Sequence, residues 1–134
     1  MDVGAAARAW ASGWERAWRA HDADAVAALY ADDCVFRSHP FRDPHVGRAG
    51  ARDYASWAFA DEESVRDVRF AEPIATEERA AVEYWAVVVD SGTPATIAGI
   101  AVLRFDAGGL VTEQHDYWAL ERNVDRPPWE GWGR

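Results

Sequence analysis

Residues 109–118 read Gly109-Leu110-Val111-Thr112-Glu113-Gln114-His115-Asp116-Tyr117-Trp118. A turn signal, Asp106-Ala107-Gly108-Gly109, precedes them, and an alternating pattern follows. Successive side chains of a strand point to opposite faces. Leu110, Thr112, Gln114, Asp116 and Trp118 therefore share one face, and Val111, Glu113, His115, Tyr117 and Ala119 the other. The first face carries a carboxylate two residues from a tryptophan. Turned into an apolar cavity, Asp116 is a poised acid or base. Turned to water, it is an ordinary strand charge. His115 alternates away from it.

Outward from this stretch, three more runs share its period. Val65–Ala75, Arg79–Asp90 and Ala95–Phe105 read as strands, with Leu110–Leu120 as the fourth. Their short connections imply antiparallel hairpins. Earlier in the chain the period is helical. Val3 to about Ala20 places Trp10, Trp14, Ala17 and Trp18 on one face of an amphipathic helix. Asp22 or Asp24 caps a second, short helix with Val26, Leu29 and Tyr30 as its apolar side, ending near Asp32-Asp33. Cys34 to His39 reads as a short strand and Pro40, Pro44 and Gly47 punctuate a loop. A third helix runs from Ala49 to about Phe59, and Asp61-Glu62-Glu63-Ser64 follows as a charged linker. Helices first and strands after is an α+β order, with a long antiparallel sheet curling around three N-terminal helices. Val87, Val89 and Val111 are expected on the sheet's exposed side. The tail, residues 121–134, has no regular period, and its Trp129 and Trp132 call for cover on the domain or on a second subunit.

At 134 residues the chain suits one domain with a real core. The net charge is −9 and no lysine-rich run exists, which argues against nucleic acid and anionic membranes as partners. Cys34 is the only cysteine, so no internal disulfide and no paired-cysteine zinc site can form. The four histidines lack metal-binding spacings, and no Gly-rich loop opens a helix after a strand. The expectation is a cytoplasmic protein without a cofactor or metal. Eight tryptophans exceed what a chain of this length ordinarily carries, and imply either a thick core or an aromatic-walled pocket.

Three segments together resemble the SnoaL-like group of the nuclear transport factor 2-like superfamily. They are His21-Asp22-Ala23-Asp24-Ala25-Val26-Ala27-Ala28-Leu29-Tyr30-Ala31-Asp32-Asp33, then Val46-Gly47-Arg48-Ala49-Gly50-Ala51-Arg52-Asp53-Tyr54, then His115-Asp116-Tyr117-Trp118. The resemblance spans nearly the whole chain. It implies a cone-shaped α+β barrel enclosing an apolar pocket, and a homodimer through the sheet's outer face. Fold alone does not fix function. Ketosteroid isomerase chemistry fits poorly, because its three working positions fall on Trp14, Ser38 and Ala101. The epoxide hydrolase pattern keeps the last-strand carboxylate at Asp116. Its partner Arg-x-Asp would fall near Val82–Tyr84, where Glu83 is the only acid. The polyketide cyclases fit best, since they are similar in keeping a last-strand aspartate as acid/base.

These readings single out Asp116 as the acid/base, with His39 as a relay at the pocket rim. Trp14, Trp18, Tyr54, Trp118 and Ser38 are the candidates for contact with a hydrophobic small molecule, and Arg42 and His45 could steer an anionic one. A carboxylate among apolar walls suits proton transfer, because desolvation lifts its pKa towards neutrality. Two functions stay open at this point. One is a cofactor-free cyclase, isomerase or dehydratase acting on a carbonyl-bearing ligand. The other is a non-catalytic binding module with the same pocket.

Overall fold

The computed structural model describes residues Met1–Arg134. Helix α1 spans Val3–Ala20, where Asp2 caps the start by accepting from the Ala5 N–H at 3.0 Å. Its buried stripe is Val3, Ala7, Trp10, Ala11, Trp14, Ala17 and Trp18. His21 closes it in the left-handed conformation, φ 51°, with its N–H on the carbonyls of Ala17 and Trp18. Helix α2 is Ala23–Ala27 and helix α3 is Gly47–Ala60. The strands are β1 (Tyr30–Arg37), β2 (His45–Val46), β3 (Glu62–Phe70), β4 (Ile74–Ala75), β5 (Ala80–Asp90), β6 (Thr93–Phe105) and β7 (Val111–Arg122). No helix is long and apolar enough to cross a membrane.

The expected α+β order holds: helices at the N-terminus and a curved sheet laid over them. The sheet order is β2-β1-β7-β6-β5-β3, with β4 beside β5. It is mixed where an all-antiparallel sheet was expected, because β1 lies parallel to β7. Parallel neighbours need a long crossover, and β1 and β7 are separated by most of the chain, so no hairpin constrains them. The sheet stays open, with β2 and β3 at its two edges.

Three boundaries differ from the sequence expectation, each for a local reason. Tyr30 belongs to β1 and not to the second helix: it pairs with Val111 and is wholly buried. The run expected over Val65–Ala75 divides into β3 and β4 around Pro73, which has no N–H for the ladder. In β7, Phe105 faces Val111 while Arg104 faces Glu113, so Thr112 is an extra residue. That bulge buries Val111 and returns the remainder of the strand to the expected alternation. The β5–β6 hairpin turns through Ser91 and Gly92, both at positive φ, as a two-residue turn of this hand requires.

The tail lies on the sheet's outer face. The Trp85 indole N–H donates to the Arg126 carbonyl at 2.8 Å, and the Trp129 and Trp132 rings stand edge-on to Trp85. The Thr96 hydroxyl donates to the Val124 carbonyl, and the Glu72 N–H to the Gly133 carbonyl. Val87, opposite Thr96 in the ladder, is buried along with it, and Val111 is buried too. Of the three valines expected on the exposed side, only Val89 keeps some surface.

Candidate functional site

Asp116 faces inward, 8% exposed, on the concave side of β7. Its Oδ1 accepts from the Gln114 amide at 2.8 Å and its Oδ2 from the Tyr84 hydroxyl at 3.2 Å. A chain of donors stands behind Gln114. The Trp14 and Trp10 indoles both donate to the Tyr30 hydroxyl oxygen, at 2.9 and 3.4 Å. An indole N–H only donates, so the single Tyr30 proton is left for Gln114 Oε1, 2.5 Å away. That contact turns the Gln114 NH2 towards Asp116. Burial pushes the Asp116 carboxyl up to about 7, and the donors Gln114 and Tyr84 only partly offset it.

Tyr84 stands on β5 and Asp116 on β7, so the phenol must pass over β6. Gly99 is the β6 residue opposite both Tyr84 and Trp118, and Ala101 is opposite Asp116. A Cβ at position 99 would lie 2.7 Å from the Tyr84 hydroxyl oxygen and 2.7 Å from the Trp118 Cβ. The missing side chain is what lets the phenol reach the carboxylate. Burial raises the Tyr84, Tyr54 and Tyr30 hydroxyls well above the usual phenol range, which keeps all three as donors.

Asp116 lines a cavity of about 290 Å³ with predominantly apolar walls. Trp10, Phe70 and Tyr84 form its deep end, where the Trp10 and Phe70 rings meet edge to face at 5.5 Å. Asp61, Leu120 and Arg122, with Arg42 and Trp57, are its exposed lining residues and mark the mouth, where it meets solvent. Arg42 stands at the mouth with its guanidinium 5.4 Å from the Trp57 ring centre and 5.8 Å from that of Trp118. Such a cation over two aromatic faces ties α3 to β7 across the entrance. No group of three His, Cys, Asp or Glu side chains is placed to hold a metal.

The structure brings six of the predicted residues to the cavity wall: Asp116, Trp14, Trp18, Tyr54, Trp118 and Arg42. Ser38 and His39 lie outside it. The Ser38 hydroxyl is bonded to His45 Nε2 at 2.9 Å, and its carbonyl accepts from the Trp118 indole at 2.7 Å. His39 Nδ1 accepts from the Phe41 N–H, and its ring stands edge-on to Trp118 from the rim side. His45 packs against Phe36 and Tyr54, and burial with the nearby Arg42 lowers its pKa. His115 points away, paired with Glu113 at 2.8 Å. Glu83 is not part of the wall.

Five site residues were missed. Gln114 was placed on the right face but given no task. Tyr84 alternates with the buried Val82 and Ala86, a signal that was available for its inward facing. Tyr30 reads from the sequence as helical, Glu62 reads as part of a charged linker, and His21 lies between the first two helices with no role of its own. Glu62 opens β3, and a bulge between Glu62 and Ser64 sets its direction. Its Oε1 accepts from the Trp18 indole at 2.9 Å and meets His21 Nε2 at 3.1 Å. Burial raises its carboxyl, while the Trp18 and His21 contacts pull it back down.

Residues 11–114 match the family described as the SnoaL-like domain. No curated protein matches the chain in sequence. Among solved structures, the chain is similar to the epoxide hydrolase/cyclase-like enzyme SalBIII of pyran ring formation in the polyether salinomycin. That pair has a TM-score of 0.73 and 16% identity, covering 86% of this chain and 94% of that one. It is also similar to a ketosteroid isomerase-like fold protein from Catenulispora acidiphila in complex with trimethylamine (TM-score 0.70, 22% identity, 81% and 83% covered). A third is a Shewanella denitrificans protein described as a SnoaL-like polyketide cyclase (TM-score 0.68, 18% identity, 84% and 89% covered). At these identities the likeness concerns the fold.

Proposed function

The chain belongs to the SnoaL-like domain family, and from that premise we propose that it is a cofactor-independent acid/base enzyme. Its substrate would be a hydrophobic, carbonyl-bearing small molecule held in the aromatic cavity, and its reaction of the cyclase, isomerase or dehydratase kind. The observation that carries this is Asp116: a buried carboxylate on an apolar wall, poised near neutrality, with its donors fixed. A group whose pKa sits near the working pH both takes and returns a proton readily. Ionised Asp116 removes a proton from carbon beside the carbonyl. The C–H electron pair moves into the enolate, and its charge comes to rest on the carbonyl oxygen. Tyr84 gives its one proton to Asp116 Oδ2 in the resting site and can turn it to that charge once Asp116 holds the substrate proton. In an isomerase the protonated acid then returns its proton to another carbon of the enolate. In a cyclase the enolate carbon first bonds to a second carbonyl of the substrate and the alkoxide so formed takes the proton, and in a dehydratase the β C–O bond breaks and the proton leaves with that oxygen as water.

SalBIII is a cyclase-like enzyme on this same fold, which supports ring chemistry as one outcome. A homodimer would have to use the part of the outer face that the tail leaves open, around Ile100, Val102 and Tyr117.

The reading is tested with 2-tetralone, a bicyclic ketone with acidic α-protons, in D2O. The protein is expected to accelerate α-deuteration above the buffer rate. Asp116→Asn should lower that acceleration ~10²–10⁴-fold, the usual contribution of a positioned acid/base. Its dissociation constant should stay within about tenfold of wild type, or about 1.4 kcal/mol. Equal deuteration by wild type and variant would remove Asp116 from the chemistry. Tight binding without any deuteration would favour the binding module.

A further inference from the structure

Glu62 holds a place on the cavity wall that proton transfer at Asp116 does not use. Both of its donors, the Trp18 indole and the His21 imidazole, converge on Oε1. Oε2 accepts from no protein group. No buried side-chain polar atom of the protein goes without a partner, so Oε2 opens onto accessible space. The surrounding walls are aromatic: Trp14 meets Trp18 at 6.2 Å and Phe59 at 6.4 Å, and His21 stacks on Phe59 at 5.0 Å. Glu62 lines the cavity, and its second oxygen stays accessible while Trp18 and His21 occupy the first.

The backbone around it is also particular. His21 occupies a left-handed helix end, where glycine is the usual residue. A side chain retained in such a conformation points to a use for that side chain. Here the imidazole clamps Glu62. The β3 bulge beside Glu62 sets the same carboxylate at the mouth. Asp116 and Glu62 mark the two ends of the cavity. The β5 ladder puts Val82 two strands from Asp116 and puts Asp90 directly opposite Glu62. The charges of both carboxylates act on the Tyr54 phenol.

We propose that Glu62 Oε2 receives a hydrogen-bond donor, a hydroxyl or an ammonium, on the mouth-side end of the ligand whose carbonyl lies at Asp116. This rests on the acid/base reading and adds the polarity of the substrate to it: a carbonyl at the buried end and a donor at the end nearer water. Trp18 and His21 act as positioning residues that present the free oxygen.

The probes are 2-tetralone and the longer 6-phenyl-2-tetralone, each compared by calorimetry with its analogue carrying a terminal hydroxyl or aminomethyl group. At one length or the other, a donor-bearing ketone is expected to bind at least tenfold tighter than its parent. In Glu62→Leu the ratio should collapse to about one. Glu62→Gln keeps an acceptor for Trp18. It should retain the preference if the donor is hydroxyl and lose it if the donor is ammonium. Thermal unfolding of each variant verifies that it is folded. If Glu62→Leu does not fold, Glu62→Gln with the aminomethyl probes and His21→Ala with both sets read the same ratio. Equal affinities for parent and donor-bearing ketones in wild type would overturn the proposal alone, as would a preference that survives Glu62→Leu or an aminomethyl preference that survives Glu62→Gln. Failure of every ketone to bind would overturn the acid/base reading with it.

Discussion

Asp116 and Glu62 line one cavity and burial raises both carboxyls, Asp116 being the more deeply buried, yet the protein treats them differently. Asp116, at the deep end, takes two neutral donors, one on each oxygen, backed by a relay through Tyr30 to two indoles. Glu62, at the mouth, takes both donors on one oxygen, and one of them, His21, also acts on it as a charge. Neutral donors favour the ionised carboxylate without placing a charge beside it. The first arrangement therefore suits a group that must gain and lose a proton, and the second a group that must present a lone pair. Burial alone does not assign a role; the kind of donor does.

The largest test of this contrast is the pH dependence of stability. In the unfolded chain Asp116 ionises near its ordinary pKa of 3.8, and in the folded protein near 7. Between these values the unfolded state loses its proton first, so stability falls as pH rises and the full cost is present above about pH 7. Below pH 3.8 both states are protonated and the cost disappears. Three pKa units correspond to ~4 kcal/mol. In urea titrations, Asp116→Asn should gain up to that amount on wild type between pH 4 and pH 8. A difference that stays flat with pH would mean Asp116 is hydrated, and the contrast with Glu62 would fail.

Gly99→Ala should have the next effect. The added methyl meets the Tyr84 phenol and Trp118 at 2.7 Å, and overpacking of this kind costs roughly 1–3 kcal/mol. Urea unfolding gives the cost. The carbon-13 chemical shift of the Asp116 carboxyl, followed with pH, shows whether the phenol has been displaced. Tyr84→Phe should be the mildest. Losing one donor to the charged form moves the Asp116 midpoint up from about 7, by about one unit. The same carboxyl signal measures it, and an unchanged midpoint would assign Gln114 alone the task of holding the carboxylate.

Much of the fold could be read locally. The α1 stripe, the long strands and the shared face of Gln114, Asp116 and Trp118 follow from period and turn chemistry, because each is settled within a few residues, whereas period alone leaves open whether that face meets a cavity or water. What escaped depends on distant pairing. Tyr30 has a helix-like context, and only its partner Val111, more than half the chain away, makes it a strand residue. Glu62 sits in an acidic run that looks solvated until β5 pairs with it and the bulge turns it inward. Tyr84 reaches Asp116 only because a third strand supplies Gly99 between them, and a single-strand pattern contains no information about that crossing. His39 lies two positions past β1, and its ring packs on Trp118 from the rim side, outside the cavity.

The placement of the C-terminus has a practical side. Gly133 is fastened to Glu72, just past the end of β3, and neither residue lines the cavity. A tether or dye attached through Arg134 therefore leaves from outside the cavity wall.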